Sequence, residues 1–221
     1  DPAGRSGRWR VELGDGHTLT ADAVVVAAPA PVAARLLRPE APAAAGELDA
    51  VDYASMALIT MAFRRSDLPA EPPGSGFLVP PVDGRGIKAA TFSANKWSWT
   101  AAQDPGLFVL RTSVGRHGED EWLRRDDAEL AALSRRDLAE AVGLTAVPVD
   151  TVVTRWEGGL PQYPVGHLER VARVHRDLAE RPGLTVCGAA YAGVGVPACI
   201  ADGRRAADLT LRTARPAGEG E

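Results

Sequence analysis

VCGAAYAGVGVPACIADGRRAA, residues Val186 to Ala207, decides the fold: it joins a short apolar strand to a helix through a turn of glycines and alanines. Small residues let a backbone come close to a ligand, and glycine adopts the conformations that such a turn needs. The helix opens near Val196 or Pro197, with proline suited to its first turn. Its leading N–H groups and partial positive charge suit an anionic or electron-rich ligand. Cys199, Gly203 and the pair Ala206-Ala207 give it a small-residue face for tight packing. A strand–turn–helix that holds no ligand is the plain alternative, because a Gly-rich turn alone is weak evidence.

Working outward, Leu184 to Cys187 reads as a buried strand. His167 to Glu180 reads as a helix with Leu168, Val171, Val174 and Leu178 on its apolar face. Near the other end, Trp9, Val11 and Leu13 alternate with polar residues, and Gly14-Asp15-Gly16 turns the chain back. DAVVVAA, Asp22 to Ala28, predicts a strand buried on both faces, and a short helix follows from Ala30 to Leu37. The middle is β-rich: Val51 to Arg64, Phe77 to Val79, Ile87 to Ser93, Leu107 to Val114 and Val149 to Trp156 predict strands. Asp126 with Glu129 forms a capping box for a helix that Gly143 stops. Gly158 to Gly166 reads as irregular, and Arg215 to Glu221 as a frayed tail. The order is α/β, then a mostly β insert, then α/β again. That predicts a mixed α/β and α+β chain with residues 1–50 and 166–221 in one domain and 51–165 inserted.

Composition excludes several classes. The chain has 221 residues, 45% of them apolar, and a net charge of -4. It has no basic excess for nucleic acid and no apolar run of the roughly 18 residues that a membrane span needs. Cys187 and Cys199 fit no metal or redox spacing and suit a reducing, cytoplasmic setting. Asp1-Pro2-Ala3-Gly4 is not the start of a signal peptide.

WEGGLPQYPVGHLERV (Trp156 to Val171) followed by Val186 to Ala207 resembles the bacterial protoporphyrinogen/coproporphyrinogen III oxidases. The shared pattern is a Trp, PQY-x-VGH, then a glycine-rich GVG(I/V)P-x-CI turn. TFSANKW (Thr91 to Trp97) and LRTSVGRHGED (Leu110 to Asp120) resemble two further blocks. DGHTLTADAVVVAAPA (Asp15 to Ala30) looks like a strand pair common among flavoproteins with two dinucleotide-binding domains. Ala198 stands where the family often has an Asp that caps the helix. The resemblance implies part of an FAD-binding domain of the amine-oxidase-like superfamily, carrying an inserted, mostly antiparallel β domain for substrate. It implies a heme-biosynthetic oxidoreductase that takes hydride from a porphyrinogen to FAD and returns the electrons to dioxygen. Coproporphyrinogen III is favoured, and protoporphyrinogen IX and peripheral membrane association stay open. Another amine-oxidase-like flavoenzyme, or an inactive porphyrin-binding remnant, are the competing classes.

Carried over residue by residue, Trp156 and Ala192, Gly193 and Val194 match cofactor-contacting positions, with Gly195 and Val196 as neighbours. The element from Thr185 to Leu211 would face the flavin. Tyr191 is expected on the substrate side. Lys96, with Trp97 and Trp99, could form a cationic, aromatic rim for the propionates, and Arg111, Arg116, Arg155 and Arg170 are similar candidates. A solvated loop is the alternative for that rim, and ordinary packing for Tyr191 and Trp156. His167 opens a helix, where capping or packing is commoner than base chemistry. His17, His117 and His175 are expected at the surface, as are Arg204 and Arg205. No catalytic residue is assigned, and no metal cluster is visible. No stretch matches G-x-G-x-x-G; Gly74-Ser75-Gly76 and Gly84-Arg85-Gly86 lack its strand–helix context. A truncated frame, a gene fragment or one part of a split protein is therefore expected. Such a chain would depend on an N-terminal FAD-binding part and bind FAD weakly or not at all by itself.

Overall fold

In a computed structural model of the chain, residues 9–119 and 121–214 are described. The expected tail at Arg215 to Glu221, the start at Asp1 to Gly4, and Asp120 of the Leu110 block lie outside the described residues. In chain order, β1 is Trp9–Glu12, β2 Thr18–Ala21 and β3 Val24–Val26. Helices α1 (Ala30–Leu37) and α2 (Pro42–Asp49) precede β4 (Tyr53–Arg64), β5 (Gly76–Leu78) and β6 (Ile87–Thr91). Then come α3 (Ser93–Lys96), α4 (Ser98–Gln103), β7 (Leu107–Val114), α5 (Asp127–Val142) and β8 (Asp150–Pro161). The last elements are α6 (His167–Ala179), β9 (Leu184–Val186) and α7 (Val196–Thr213). These divide into two units, Asp1–Asp52 with Leu160–Glu221, and Tyr53–Gly159.

In the first unit, β1 and β2 form the expected hairpin, with Trp9 opposite Ala21 and Glu12 opposite Thr18. Strand β3 pairs in parallel with β9, Val24 opposite Leu184 and Val26 opposite Val186. The expected doubly buried strand is shorter: Val26 is buried, but Val25 is 40% exposed. Ala30, Ala33, Ala34 and Leu37 fall at helical spacing and bury one face of α1. Helix α2 went unforeseen because its buried residues, Ala44, Ala45 and Leu48, give little apolar contrast in PAAAGELD. It packs against α1 and α6. Asp177 on α6 accepts the Ala44 N–H at 2.8 Å, and Arg173 grips Glu47 at 2.5 and 2.9 Å. That guanidinium holds the Glu47 carboxyl below its ordinary pKa.

Two helix faces differ from expectation. Leu168 is 73% exposed, and α6 buries His167, Val174 and Leu178 instead. In α7 the buried stripe is Asp202, Ala206 and Thr210, while Ala207 is exposed. The Thr210 hydroxyl meets that of Thr185 at 2.6 Å, so a polar stripe packs on the strand through paired hydroxyls.

The second unit is a five-stranded sheet in the order β5-β6-β7-β4-β8. Strand β4 runs antiparallel to β7, from Ala57 opposite Val114 to Arg64 opposite Leu107. From Ala57 on, strict alternation sends Ile59, Met61 and Phe63 into the core. Phe108 and Leu110 of β7, Ile87 of β6, and Leu130 and Leu138 of α5 join them. The α5 capping box forms as the sequence predicts: Glu129 N–H donates to Asp126 at 2.8 Å, Asp126 N–H returns to Glu129 at 3.2 Å, and Gly143 ends the helix at φ 69°. Helices α3 and α4 were not foreseen, being only four and six residues long. Strand β8 continues to Pro161 through the stretch expected to be irregular, with the Gly158 N–H held by the Ser55 hydroxyl at 2.9 Å. The unit ends at Gly159 rather than 165. Residues 160–165 associate with the first unit, where Gln162 N–H donates to Asp52 O at 2.9 Å.

Asp137 is buried at the join of helix and sheet. Its carboxylate accepts the Ile87 N–H at 3.0 Å, beside the irregularity between Ile87 and Ala89, and takes Arg136 at 3.1 Å. Removing it leaves a buried N–H without a partner. Asp137→Ala is expected to lower unfolding free energy in urea by about 1–3 kcal/mol. An unchanged urea midpoint would show that this N–H finds another acceptor.

Candidate functional site

The glycine turn is held at both ends and in its middle. Cys187 N–H continues the β3–β9 pairing by donating to Val26 O at 3.2 Å. Gly188 (φ 133°) then donates its N–H to Asp202 Oδ2 at 2.9 Å. The Tyr163 hydroxyl donates to Ala189 O. Further on, the Cys199 thiol meets Gly193 O at 3.4 Å, and Cys199 N–H closes on Gly195 O at 3.0 Å. Gly193 sits at φ 150°, and a Cβ there would lie 2.9 Å from the Ala198 side chain. Glycine is required at this position by both conformation and space.

Asp202 is 3% exposed, yet its charge is fully engaged. Oδ2 takes Gly188, and Oδ1 takes Arg205 Nε and Nη2 at 3.0 and 2.8 Å. A buried carboxylate is tolerable only with such partners. Arg205 is therefore structural, although its surface position was foreseen. Its Nη2 lies 3.4 Å from His175 Nε2, and the His175 ring is 6.0 Å from that of Tyr191. Burial, and after it the positive charge of Arg205, push the His175 imidazole below its ordinary pKa, with Asp202 opposing. His175 is thus half-buried rather than at the surface as expected. Burial, then Asp202, pushes the Cys187 thiol up, so it is not a ready nucleophile.

The PQY-x-VGH block has a physical role in this arrangement. The Tyr163 ring stacks on His167 at 4.1 Å with 11° between the planes, while its hydroxyl holds the turn at Ala189. His167 is buried, and neither ring nitrogen has a hydrogen bond to a described residue. His167 is a packing partner of Tyr163, which in turn anchors the glycine turn.

The turn therefore has an inner and an outer side. Tyr191 is 1% exposed and lies inside. Ala192, Val194, Gly195 and Val196 are exposed, and Gly193 is half-buried. No side chain caps α7, consistent with Ala198 in place of an Asp, so its first-turn N–H groups are not taken by a side-chain cap. Trp156 belongs to the other unit. It is half-exposed on β8, beside an open pocket of about 270 Å³ with Ser55, Met56, Leu123 and Arg155. Arg155 pairs with Asp127 and bonds Arg125 O at 2.7 Å. Arg116 is spent on Val79 O and Ile87 O, and Arg170 on Ala50 O. Lys96 and Arg111 differ: both are exposed, and both lie by the Trp97 ring, at 4.9 and 6.0 Å. Among the described residues no group of His, Cys, Asp and Glu could hold a metal, and no helix is long and apolar enough to cross a membrane.

Sequence reasoning missed Asp202 and the anchoring role of Tyr163. The signal for Asp202 was its place on the same face as Cys199 and Ala206, where a charge needs partners. For Tyr163 the contact is between distant residues, which no local pattern displays.

The model for "flavin containing amine oxidoreductase" matches residues 4–211. Coproporphyrinogen III oxidase of Bacillus subtilis is 34% identical over 204 residues, 92% of this chain and 43% of that protein. The Propionibacterium freudenreichii enzyme of the same name is 37% identical over 94% of this chain and 39% of its own length. Human protoporphyrinogen oxidase is 33% identical over 94% of the chain and 44% of its length. The chain thus spans less than half of these relatives. A crystal structure from Exiguobacterium sp. 255-15 superposes with TM-score 0.78 at 35% identity, over 94% of this chain and 45% of that one. Cyclohexylamine oxidase from Brevibacterium oxydans shares the fold, with TM-score 0.68 at 17% identity, over 95% and 46%.

The depressed His175 pKa has a direct consequence. The folded protein holds fewer protons there than the unfolded chain. This part of the stability is complete above the ordinary histidine pKa of about 6.5 and is lost as pH falls below it. His175→Gln should flatten the decline in urea midpoint between about pH 7 and pH 5. Equal declines in the variant and the parent would contradict the assignment.

Proposed function

We propose, because the chain belongs to the flavin containing amine oxidoreductase family, that it serves an FAD-dependent oxidation of a porphyrinogen in heme biosynthesis. The observation that carries this is the turn from Gly188 to Gly195. Its outer side is bare backbone and small side chains, and it leads into a helix without a side-chain cap. A flavin fits such a wall: Gly193 puts no side chain in its way, and first-turn N–H groups favour negative charge on the ring edge. When bound, FAD would supply the acceptor for hydride from the macrocycle and pass the electrons to dioxygen, releasing hydrogen peroxide.

The chain's own part is positional. Ala192, Gly193 and Val194, with Gly195 and Val196, form the wall against the ring. Asp202 and Tyr163 keep the wall in place, so that little ordering remains when the cofactor arrives. Coproporphyrinogen III is the favoured substrate, since the Bacillus and Propionibacterium relatives carry that name. The FAD pyrophosphate would be held by a glycine fingerprint that these 221 residues do not contain. The setting is cytoplasmic in this reading.

The test is a chimera with this chain in place of the matching region of the Bacillus relative. It should purify yellow and turn coproporphyrinogen III into fluorescent coproporphyrin III with uptake of dioxygen. Gly193→Val should lose the flavin at unchanged far-ultraviolet circular dichroism. The chain alone should bind FAD weakly. A flavin-loaded chimera that leaves coproporphyrinogen III unoxidised would overturn the proposal.

A further inference from the structure

We infer that Lys96, Trp97 and Arg111 form a platform that holds the carboxylate arms of the porphyrinogen, an inference that rests on the substrate reading above. Three elements converge on it. Lys96 ends α3, Trp97 lies between α3 and α4, and Arg111 points outward from β7. The Lys96 ammonium lies 4.9 Å from the Trp97 ring centre, and the Arg111 guanidinium 6.0 Å from it. The Trp99 ring, 6.2 Å from Trp97 and 63% exposed, extends the aromatic surface.

What sets this cluster apart is its charge. Lys96 and Arg111 have no ion-pair partner among the described residues, whereas Arg116, Arg155 and Arg170 all have carboxylate or carbonyl partners. Nor does the sheet supply a counter-charge. Arg111 lies in register with Thr60 on β4 and Thr91 on β6, both neutral. Two like charges beside one indole repel, and the ring offsets only a small part of that cost at an exposed site. A bound ligand with two or more carboxylates would remove it. The threonines leave the surface next to Arg111 without an opposing charge, so a carboxylate arm can approach it. The combination selects a ligand by shape and charge together: an aromatic or pyrrolic ring that carries several carboxylate arms, as the propionates of coproporphyrinogen III are carried. Lys offers a mobile point charge and Arg a planar fork, so one can follow an arm while the other fixes it.

The 221-residue chain can be titrated with coproporphyrin III and followed by porphyrin absorbance. Lys96→Ala and Arg111→Ala should each weaken binding about fivefold, the effect of one exposed charge contact. The double variant should also lose most of the salt dependence. Lys96→Arg should retain binding. Far-ultraviolet circular dichroism and the urea midpoint, unchanged in the variants, separate loss of the platform from loss of fold. Equal binding of coproporphyrin III by the parent and both alanine variants overturns the platform and leaves the porphyrinogen reading standing. If the parent binds pyrenetetrasulfonate through Lys96 and Arg111 but does not bind coproporphyrin III, the anion platform stands and the porphyrinogen reading falls. If the parent binds neither probe, the platform is overturned.

Discussion

The buried carboxylate of Asp202 is the constraint on which the glycine turn depends. It stands on α7, engages Arg205 with one oxygen and takes the Gly188 N–H with the other. Glycines give the turn its conformation, but the same glycines make it costly to order. A fixed acceptor at Gly188, the Tyr163 hydroxyl at Ala189 and the Cys199 thiol at Gly193 O oppose that disorder from three points. The turn can then present bare backbone to a ligand without being slack. In the proposed role this matters more than any acid or base, because hydride transfer to a bound flavin demands placement first.

The same device recurs elsewhere. Asp137 on α5 accepts the Ile87 N–H, and Asp177 on α6 accepts the Ala44 N–H. In each case a helix carboxylate takes a backbone donor from another element, at an element's start or at the first residues of a strand. Such donors are costly to bury without a partner. Apolar packing alone would not fix where these segments lie along a helix, because it has no direction. Hydrogen bonds to a carboxylate do have one.

Much of this was legible in the sequence, for local reasons. The Asp126 capping box, the Gly143 stop, the hairpin around Gly14-Asp15-Gly16 and the strand Leu107–Val114 depend on neighbours in the chain, and they form where local rules place them. The exposed side of the turn was legible too, as a run of small residues between strand and helix. The errors share a cause. Spacing alone places Leu168 inward, but His167 takes the buried place and stacks on Tyr163. Helix α2 has too many alanines to show a stripe. Asp202 reads as a solvated charge until Gly188 and Arg205 are seen beside it. Contacts between distant residues decide these cases, and periodicity carries no information about them.

Amide hydrogen exchange at Gly188, measured in the parent chain and in Asp202→Ala, tests the central claim most directly. The account predicts that the Gly188 amide is protected in the parent and exchanges rapidly in the variant, while the Ile87 amide, held by Asp137, stays protected in both. A Gly188 amide that exchanges equally in the two proteins would contradict it, because the turn would then owe its shape to something other than the Asp202 carboxylate.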